Sequence, residues 1–417
     1  MGYLICMLDR RRRRYLFIIS LLFSAGFAQA ADPLHVLLSG SLPAPPSLSA
    51  RSAILLEALT GVILFEKNAD DPIPPASLTK LMTLDIALQR IDEGLLDPSQ
   101  IVEPRSDAWA RNMPPRSSVM FLGPNQRLTI DDLLRGLVVD SANDAAVELA
   151  DVIGGSVPAF VQIMNEEASQ MGYRVMHFVD SSGISAGNLI TAREYADFCR
   201  RFVALHPQAL KSLFSLGQFT YPREENLSGD NRQKPVTQRN TDRLLGRYEG
   251  ADGLKTGYID ESGYNFAATA TRGQMRLISV VLGIHDSDPA DGVRLRAVES
   301  EKLLDYGFGN FRLMVPTYAA PFPVRVWKGR ARVLTIATLT KPYIVVPRDQ
   351  AGSVSATVEQ QREVFAPVSQ GQVLGQLIVR LGDVELVRFP LQALTSVEKG
   401  GPLRRMLDSL ILLFHRT

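Results

Sequence analysis

Apolar residues along this chain switch between a period near two and a period near 3.6, and the switches mark its elements. Ala53-Ile54-Leu55-Leu56 and Gly61-Val62-Ile63-Leu64-Phe65 predict a β-hairpin turning near Thr60-Gly61. Pro74-Pro75 stops any regular element. Ser77–Gln89 then has apolar residues on several helical faces, the pattern of a helix buried all round. Further helices are predicted over Asp131–Val139, Ala145–Ile153, Phe160–Met171 and Ala192–Leu205, with a turn at Asp140–Asp144. Strand character returns at Gly253–Tyr258, Tyr264–Thr271 and Arg276–Gly283, the last two joined through Arg272-Gly273-Gln274. Arg294–Tyr306 follows as a helix. A sheet drawn from both ends of this region, with helices from its middle, is an α+β arrangement.

The pattern changes after Phe311. Phe322–Val326, Arg332–Ala337, Tyr343–Val346, Val354–Val358, Gln372–Arg380 and Val384–Phe389 read as short strands separated by turn residues. They predict a small, separate all-β sandwich or barrel. In Pro402–Phe414, Leu403, Met406, Leu407, Leu410, Ile411 and Phe414 fall at helical spacing opposite Arg404, Arg405, Asp408 and Ser409. This amphipathic helix follows Lys399-Gly400-Gly401, which reads as a flexible linker, and it suits a membrane interface.

Composition adds an address. With 417 residues, 46% hydrophobic and 21% charged, the chain has room for two folded domains. Residues 1–30 carry Arg10 to Arg14 against the single acid Asp9. Formal net charge is only +1, so the remainder is slightly acidic, which argues against nucleic-acid binding. Those arginines, the apolar run Tyr15–Phe23 and the small residues Ala28-Gln29-Ala30 read as an export signal cleaved before Ala31. The expected organisation is a signal at 1–30, a linker at 31–50, an α+β domain at 51–312, a β domain at 313–396 and the amphipathic helix at 400–417. Cys6 falls in the signal, so Cys199 has no partner for a disulfide in the mature chain and reads as a buried hydrophobe. The five histidines are scattered, and neither metal nor cofactor is expected.

Candidate chemistry lies in short motifs. Ser77-Leu78-Thr79-Lys80 places a hydroxyl and an amine at i and i+3 on an apolar helix that opens just after the prolines. A desolvated Lys80 is a general base for Ser77. The same spelling at Ser396–Lys399 lacks that context and reads as surface sequence. Ser141-Ala142-Asn143 lies in the turn between two helices, where Asn143 also suits a cap. Ser141 can relay a proton between Lys80 and a leaving amine, and Asn143 can bind both a substrate carbonyl and Lys80. Lys255-Thr256-Gly257 is the rarest, expected about 0.1 times by chance in such a chain. It offers a cation and a hydroxyl to an anionic substrate group, with a glycine for close backbone approach. The amides of Ser77 and Tyr258 are the natural oxyanion hole.

Three motifs in this order resemble the low-molecular-mass penicillin-binding proteins, the serine D-alanyl-D-alanine carboxypeptidases. Likeness extends over about Ser52–Phe311, through Asn68-Ala69-Asp70, Asp180-Ser181-Ser182-Gly183, Asn188-Leu189-Ile190-Thr191-Ala192, Gly263-Tyr264-Asn265 and Gly273–Ser279. The resemblance implies a β-lactamase/transpeptidase-like α+β domain followed by a β-rich domain and an amphipathic tail. It implies that Ser77 attacks the penultimate D-alanine carbonyl of a peptidoglycan pentapeptide, and that β-lactam antibiotics acylate the same serine. It also implies that Arg239 and Arg296 help Lys255 hold the substrate's terminal carboxylate, although His285–Val293 looks like an insertion before Arg296. An endopeptidase cutting cross-links and a β-lactamase are the alternatives. The expected setting is the periplasm, at the outer face of the inner membrane.

Overall fold

Two apolar faces, not one, explain why the strands of the first unit read as nearly continuous hydrophobic runs. The computed structural model describes residues 44–286 and 288–415. The expected signal at 1–30 and most of the expected linker at 31–50 lie outside the described residues. Those described form two compact units that meet in the chain between Leu313 and Met314.

In the first unit, β1 (Ser52–Glu57) and β2 (Ile63–Lys67) form the expected hairpin. The middle of the chain supplies α1 (Lys80–Asp92), α2 (Ile130–Arg135), α3 (Asn143–Gly154), α4 (Val157–Gln170) and α5 (Ala192–Leu205). A small hairpin, β3 (Gln218–Tyr221) with β4 (Val236–Arg239), precedes β5 (Ala251–Ile259), β6 (Gly263–Arg272) and β7 (Met275–Ile284). The unit closes with α6 (Pro289–Asn310). Its main sheet is antiparallel, in the order β2-β1-β7-β6-β5, with β5 at an edge.

Side chains alternate across a strand, so neighbours in sequence serve opposite faces. Ile54, Ile278 and Val280 join the core shared with the helical block. Leu55 and Leu277 face α6, where Gly307 lets the helix approach so closely that an added Cβ would lie 2.5 Å from Leu277 Cδ1. The helix expected over Arg294–Tyr306 begins earlier, at Pro289, where the Asp288 carboxylate caps Ala290 N at 2.8 Å. Most of the expected insertion at His285–Val293 is therefore its first turn.

The second unit contains β8 (Phe322–Trp327), β9 (Val333–Ala337), β10 (Ile344–Pro347), β11 (Val354–Gln360), β12 (Val364–Phe365), β13 (Val373–Leu381), β14 (Val384–Ala393) and α7 (Pro402–His415). Its sheet runs β11-β13-β14-β9-β8-β12 around a separate apolar core. Ser396–Lys399 lies in extended chain here, where Lys399 bridges to Gly329. The expected flexible linker at 399–401 is held instead: Gly400 N donates to Lys328 O at 2.8 Å.

Leu277 is fully buried at the centre of the sheet and against Gly307. Leu277→Ala is expected to cost about 2–5 kcal/mol through lost burial and the cavity it leaves. Urea unfolding followed by tryptophan fluorescence should show the midpoint fall accordingly.

Candidate active site

Three segments distant in sequence converge on Lys80. The first is a single 3-10 turn, Ala76–Thr79, that leads into α1. The sequence pattern put Ser77 inside the α-helix; it sits instead in this tighter turn, with Leu78 N donating to Pro75 O at 3.3 Å. Ala76 adopts φ +53°, a left-handed conformation costly for a residue with a Cβ. Surrounding structure holds it there. Tyr195 Oη donates to Leu78 O at 2.8 Å, and Asn265 Nδ2 donates to Pro74 O at 3.1 Å. Gly183 packs against the turn so tightly that a Cβ would fall 1.8 Å from Ala76 O.

A π-type turn, Gly136–Asp140, forms the second segment and ends at Ser141, whose φ is +57°. Asn143 begins α3 directly afterwards, so Ser141 and Asn143 are set by the end of one helix and the start of the next. The third segment is the loop after Phe178, gathered around one carboxylate. Asp180 accepts hydrogen bonds from Ser182 N, Gly183 N and Ser185 N and from Asn188 Nδ2. Burial raises the Asp180 pKa, but these donors outweigh it and hold the carboxylate below its ordinary value.

Lys80 Nζ lies 2.9 Å from Ser77 Oγ, 2.6 Å from Asn143 Oδ1 and 2.6 Å from the carbonyl of Ser182. An ammonium fills all three positions with its protons. A neutral amine keeps two N–H bonds, to Asn143 and Ser182, which aims its lone pair at the serine hydroxyl. Burial pushes the amine down to about 7, the charges of Asp180 and Asp144 opposing that effect. A substantial neutral fraction is therefore present near neutrality, as a general base needs.

Lys255-Thr256-Gly257 occupies the middle of edge strand β5. Gly257 is pressed on the nucleophile turn, where an added Cβ would stand 2.7 Å from Pro75 O and 3.1 Å from Ala76 Cβ. That contact brings Tyr258 alongside Ser77, and both line one cleft of about 570 Å³. Lys255 itself is 2% exposed and donates to Ser141 Oγ at 2.8 Å and to Thr256 O at 3.2 Å. Burial drives its pKa well below the ordinary lysine value, reinforced by the positive Lys80 and Arg296 and opposed by Asp242. Ser141 was expected to relay a proton between Lys80 and a leaving amine; its hydrogen bond is to Lys255 Nζ.

Near Lys255 the cleft is lined by Ser141, Thr256, Thr241 and Arg296. Thr256 Oγ1 donates to Thr241 Oγ1 at 2.7 Å. Arg296 donates to Gly257 O at 3.1 Å, with its guanidinium 5.8 Å from the centre of the Tyr264 ring. Burial lowers its pKa to about 10, which leaves it cationic at neutral pH. Arg239 is placed differently, exposed at the end of β4 and outside the residues that line the cleft. Its near neighbour Thr241 takes the cleft-facing position. Sequence reasoning missed both Thr241 and the carbonyl of Ser182. An Asp180-x-Ser-Gly run, a pattern for side chain-to-backbone turns, was the available signal for the second.

A family model described as D-alanyl-D-alanine carboxypeptidase matches residues 40–286, and one for the C-terminal domain of penicillin-binding protein 5 matches 319–399. The chain is 34% identical to D-alanyl-D-alanine carboxypeptidase DacC of Escherichia coli over 89% of its own length and 90% of that protein. Among solved structures, penicillin-binding protein 5 from Haemophilus influenzae superposes with a TM-score of 0.76 at 31% identity, covering 86% of this chain and all of that one. Cefotaxime-bound penicillin-binding protein D2 from Listeria monocytogenes has a TM-score of 0.54 at 30% identity, covering 64% of this chain and 100% of that one. The chain belongs to the D-alanyl-D-alanine carboxypeptidase family and is a serine-type hydrolase.

With the neutral Lys80 amine as base, penicillin acylation of Ser77 should rise with pH through about 7. Asp180→Asn removes a charge that favours the ammonium, so the rise should move to lower pH. Stopped-flow acylation with a fluorescent penicillin across pH 5–9 measures both; an unshifted limb in the variant would contradict the assignment.

Proposed function

We propose that this chain removes the terminal D-alanine from peptidoglycan pentapeptide stems through an ester on Ser77, outside the cytoplasm and against the inner membrane. The aim of the Lys80 lone pair at Ser77 Oγ carries this reading. Ser77 attacks the penultimate carbonyl as Lys80 takes its proton. The developing oxyanion meets the amides of Ser77 and Tyr258, where preorganised donors lower the barrier most. The proton taken by Lys80 passes by way of Ser141, held by Lys255 Nζ, to the leaving amine of D-alanine, which returns Lys80 to its neutral form. Thr256 and Arg296 bind the terminal carboxylate while buried Lys255 adds its positive potential from below. Water, activated by Lys80 in reverse, then releases the shortened peptide. β-Lactams acylate Ser77 as mimics of the same peptide.

The orientation of α7 supports the membrane setting. Asp408, fully buried, turns inward and accepts a hydrogen bond from Lys328 N at 2.6 Å. Leu403, Met406, Leu407, Leu410, Ile411 and Leu413 turn outward and are exposed. A helix that buries its acid and exposes its leucines suits an interface with lipid. Among the described residues no single helix is long and apolar enough to cross a bilayer. The basic and apolar segments at the start of the sequence support export.

Ser77→Ala should abolish both fluorescent-penicillin labelling and D-alanine release from a defined pentapeptide, a loss of at least about 10³-fold for a deleted nucleophile. Stoichiometric labelling of the variant would sink the mechanism; monomer release from a cross-linked dimer at a higher rate would favour an endopeptidase. Leu407→Asp with Leu410→Asp should release the protein from anionic vesicles in a flotation assay, with penicillin labelling retained. Flotation as strong as that of the unaltered protein would contradict the membrane assignment.

A further inference from the structure

Behind the end of the cleft that holds Thr256 and Arg296 lies a buried acid that the mechanism leaves unused. Thr241 lines the cleft and accepts from Thr256 Oγ1 at 2.7 Å, while Asp242, the next residue, is turned into the wall and only 5% exposed. Its two oxygens are placed unequally. Oδ1 accepts from Leu244 N at 2.8 Å, and Oδ2 is buried with no hydrogen-bond partner among the described residues. A carboxylate held this way is only half compensated, and a proton on Oδ2 removes the charge that burial penalises.

The charged groups packed around Asp242 come from two other elements. Lys255 on β5 and Arg296 on α6 are both more than nine-tenths buried, and the charge of Asp242 acts on each. Lys80 and Arg296 bear on Lys255, and the exposed Arg243 and the Tyr264 ring bear on Arg296. Burial pushes the Asp242 carboxyl up to about 7, opposed by the amides of Leu244 and Leu245 and by Arg296 and Lys255.

A peptide's terminal carboxylate brings a second anion to the same basic groups. Two carboxylates that share a site resist being ionised together, and the one sealed in protein is the one to give way. Resting on the reading that Thr256 and Arg296 hold this carboxylate, we propose that Asp242 is a positioning residue that takes a proton from solvent as the peptide's C-terminus enters the cleft. Neutral Asp242 leaves the field of Arg296 and Lys255 undivided for the substrate. Departure of D-alanine returns the proton to solvent.

The test uses Ser77→Ala, which cannot form the ester, and two pentapeptides that differ only in ending as a carboxylate or a carboxamide. Calorimetric titration in HEPES and in Tris, buffers of different ionisation heat, counts the protons taken up on binding. The carboxylate peptide should take up about half a proton at pH 7, rising toward one at pH 8, because free Asp242 is then about half protonated at pH 7. Its affinity should fall by up to about tenfold per pH unit above 7, since each binding event must draw a proton. The carboxamide should show neither effect. Adding Asp242→Asn, which keeps an acceptor for Leu244 N, should abolish both, with circular dichroism as the check on folding; Asp242→Ser serves the same end should Asn disturb the fold. Carboxylate binding without proton uptake in Ser77→Ala overturns the proposal. So does uptake that persists once Asp242 is replaced, which would put the proton on Lys255 or Lys80. A failure of the underlying reading looks different: the two peptides bind equally well, or neither binds, and the proposal falls with it.

Discussion

The site depends on keeping one amine out of water. Taking an ammonium into a low-dielectric interior costs several kcal/mol even after relaxation, so burial favours the uncharged form. Lys80, 1% exposed, carries that cost on the first turn of α1. Every segment around it moderates the effect. Asp180 and Asp144 raise the pKa again, so it settles near neutrality rather than far below, and Ser182 and Asn143 provide acceptors that an ammonium can use. A base that is too buried would never become charged after taking the serine proton. One left in water would never be neutral enough to take it.

Lys255 is the contrasting case. It too is buried, but its neighbours include the positive Lys80 and Arg296, which Asp242 opposes. Its direct hydrogen bonds reach Ser141 and the backbone, so its influence on a bound anion acts through the field and through a hydroxyl. Beside Lys255, the side chain that lines the cleft and stays cationic at neutral pH is that of Arg296, which donates to the carbonyl of Gly257. In the proposed mechanism these two basic residues, in different surroundings, divide the work of orienting a proton donor and binding a carboxylate.

Much of this was legible in the sequence, because the main elements follow local period and the three motifs each sit within a few residues. The hairpin at Ser52–Lys67, the three long strands of the first sheet and all six strands expected after Phe311 follow the apolar pattern. What escaped was set by tertiary contact. The 3-10 turn at Ser77 depends on Gly183 and Asn265, which lie more than 100 residues away. Ser182 contributes a carbonyl, which no side-chain motif can spell. Arg239 and Thr241 stand two residues apart, and only the end of β4 decides which one faces the cleft. The linker at 399–401 is rich in glycine yet ordered, because its backbone groups pair with Lys328 and Gly329.

An open sheet edge is ordinarily a hazard, since it offers unpaired backbone groups to any other strand. Here the edge is β5, and the cleft that needs it open is also what protects it. Gly257 draws the strand against the turn carrying Ser77, while the segment at Pro114–Ser118 stands over the other side. A lone extended peptide can enter such a slot, but a strand that already belongs to another sheet brings neighbours too wide to follow. The same confinement that aligns a substrate therefore makes this molecule a poor template for its own aggregation.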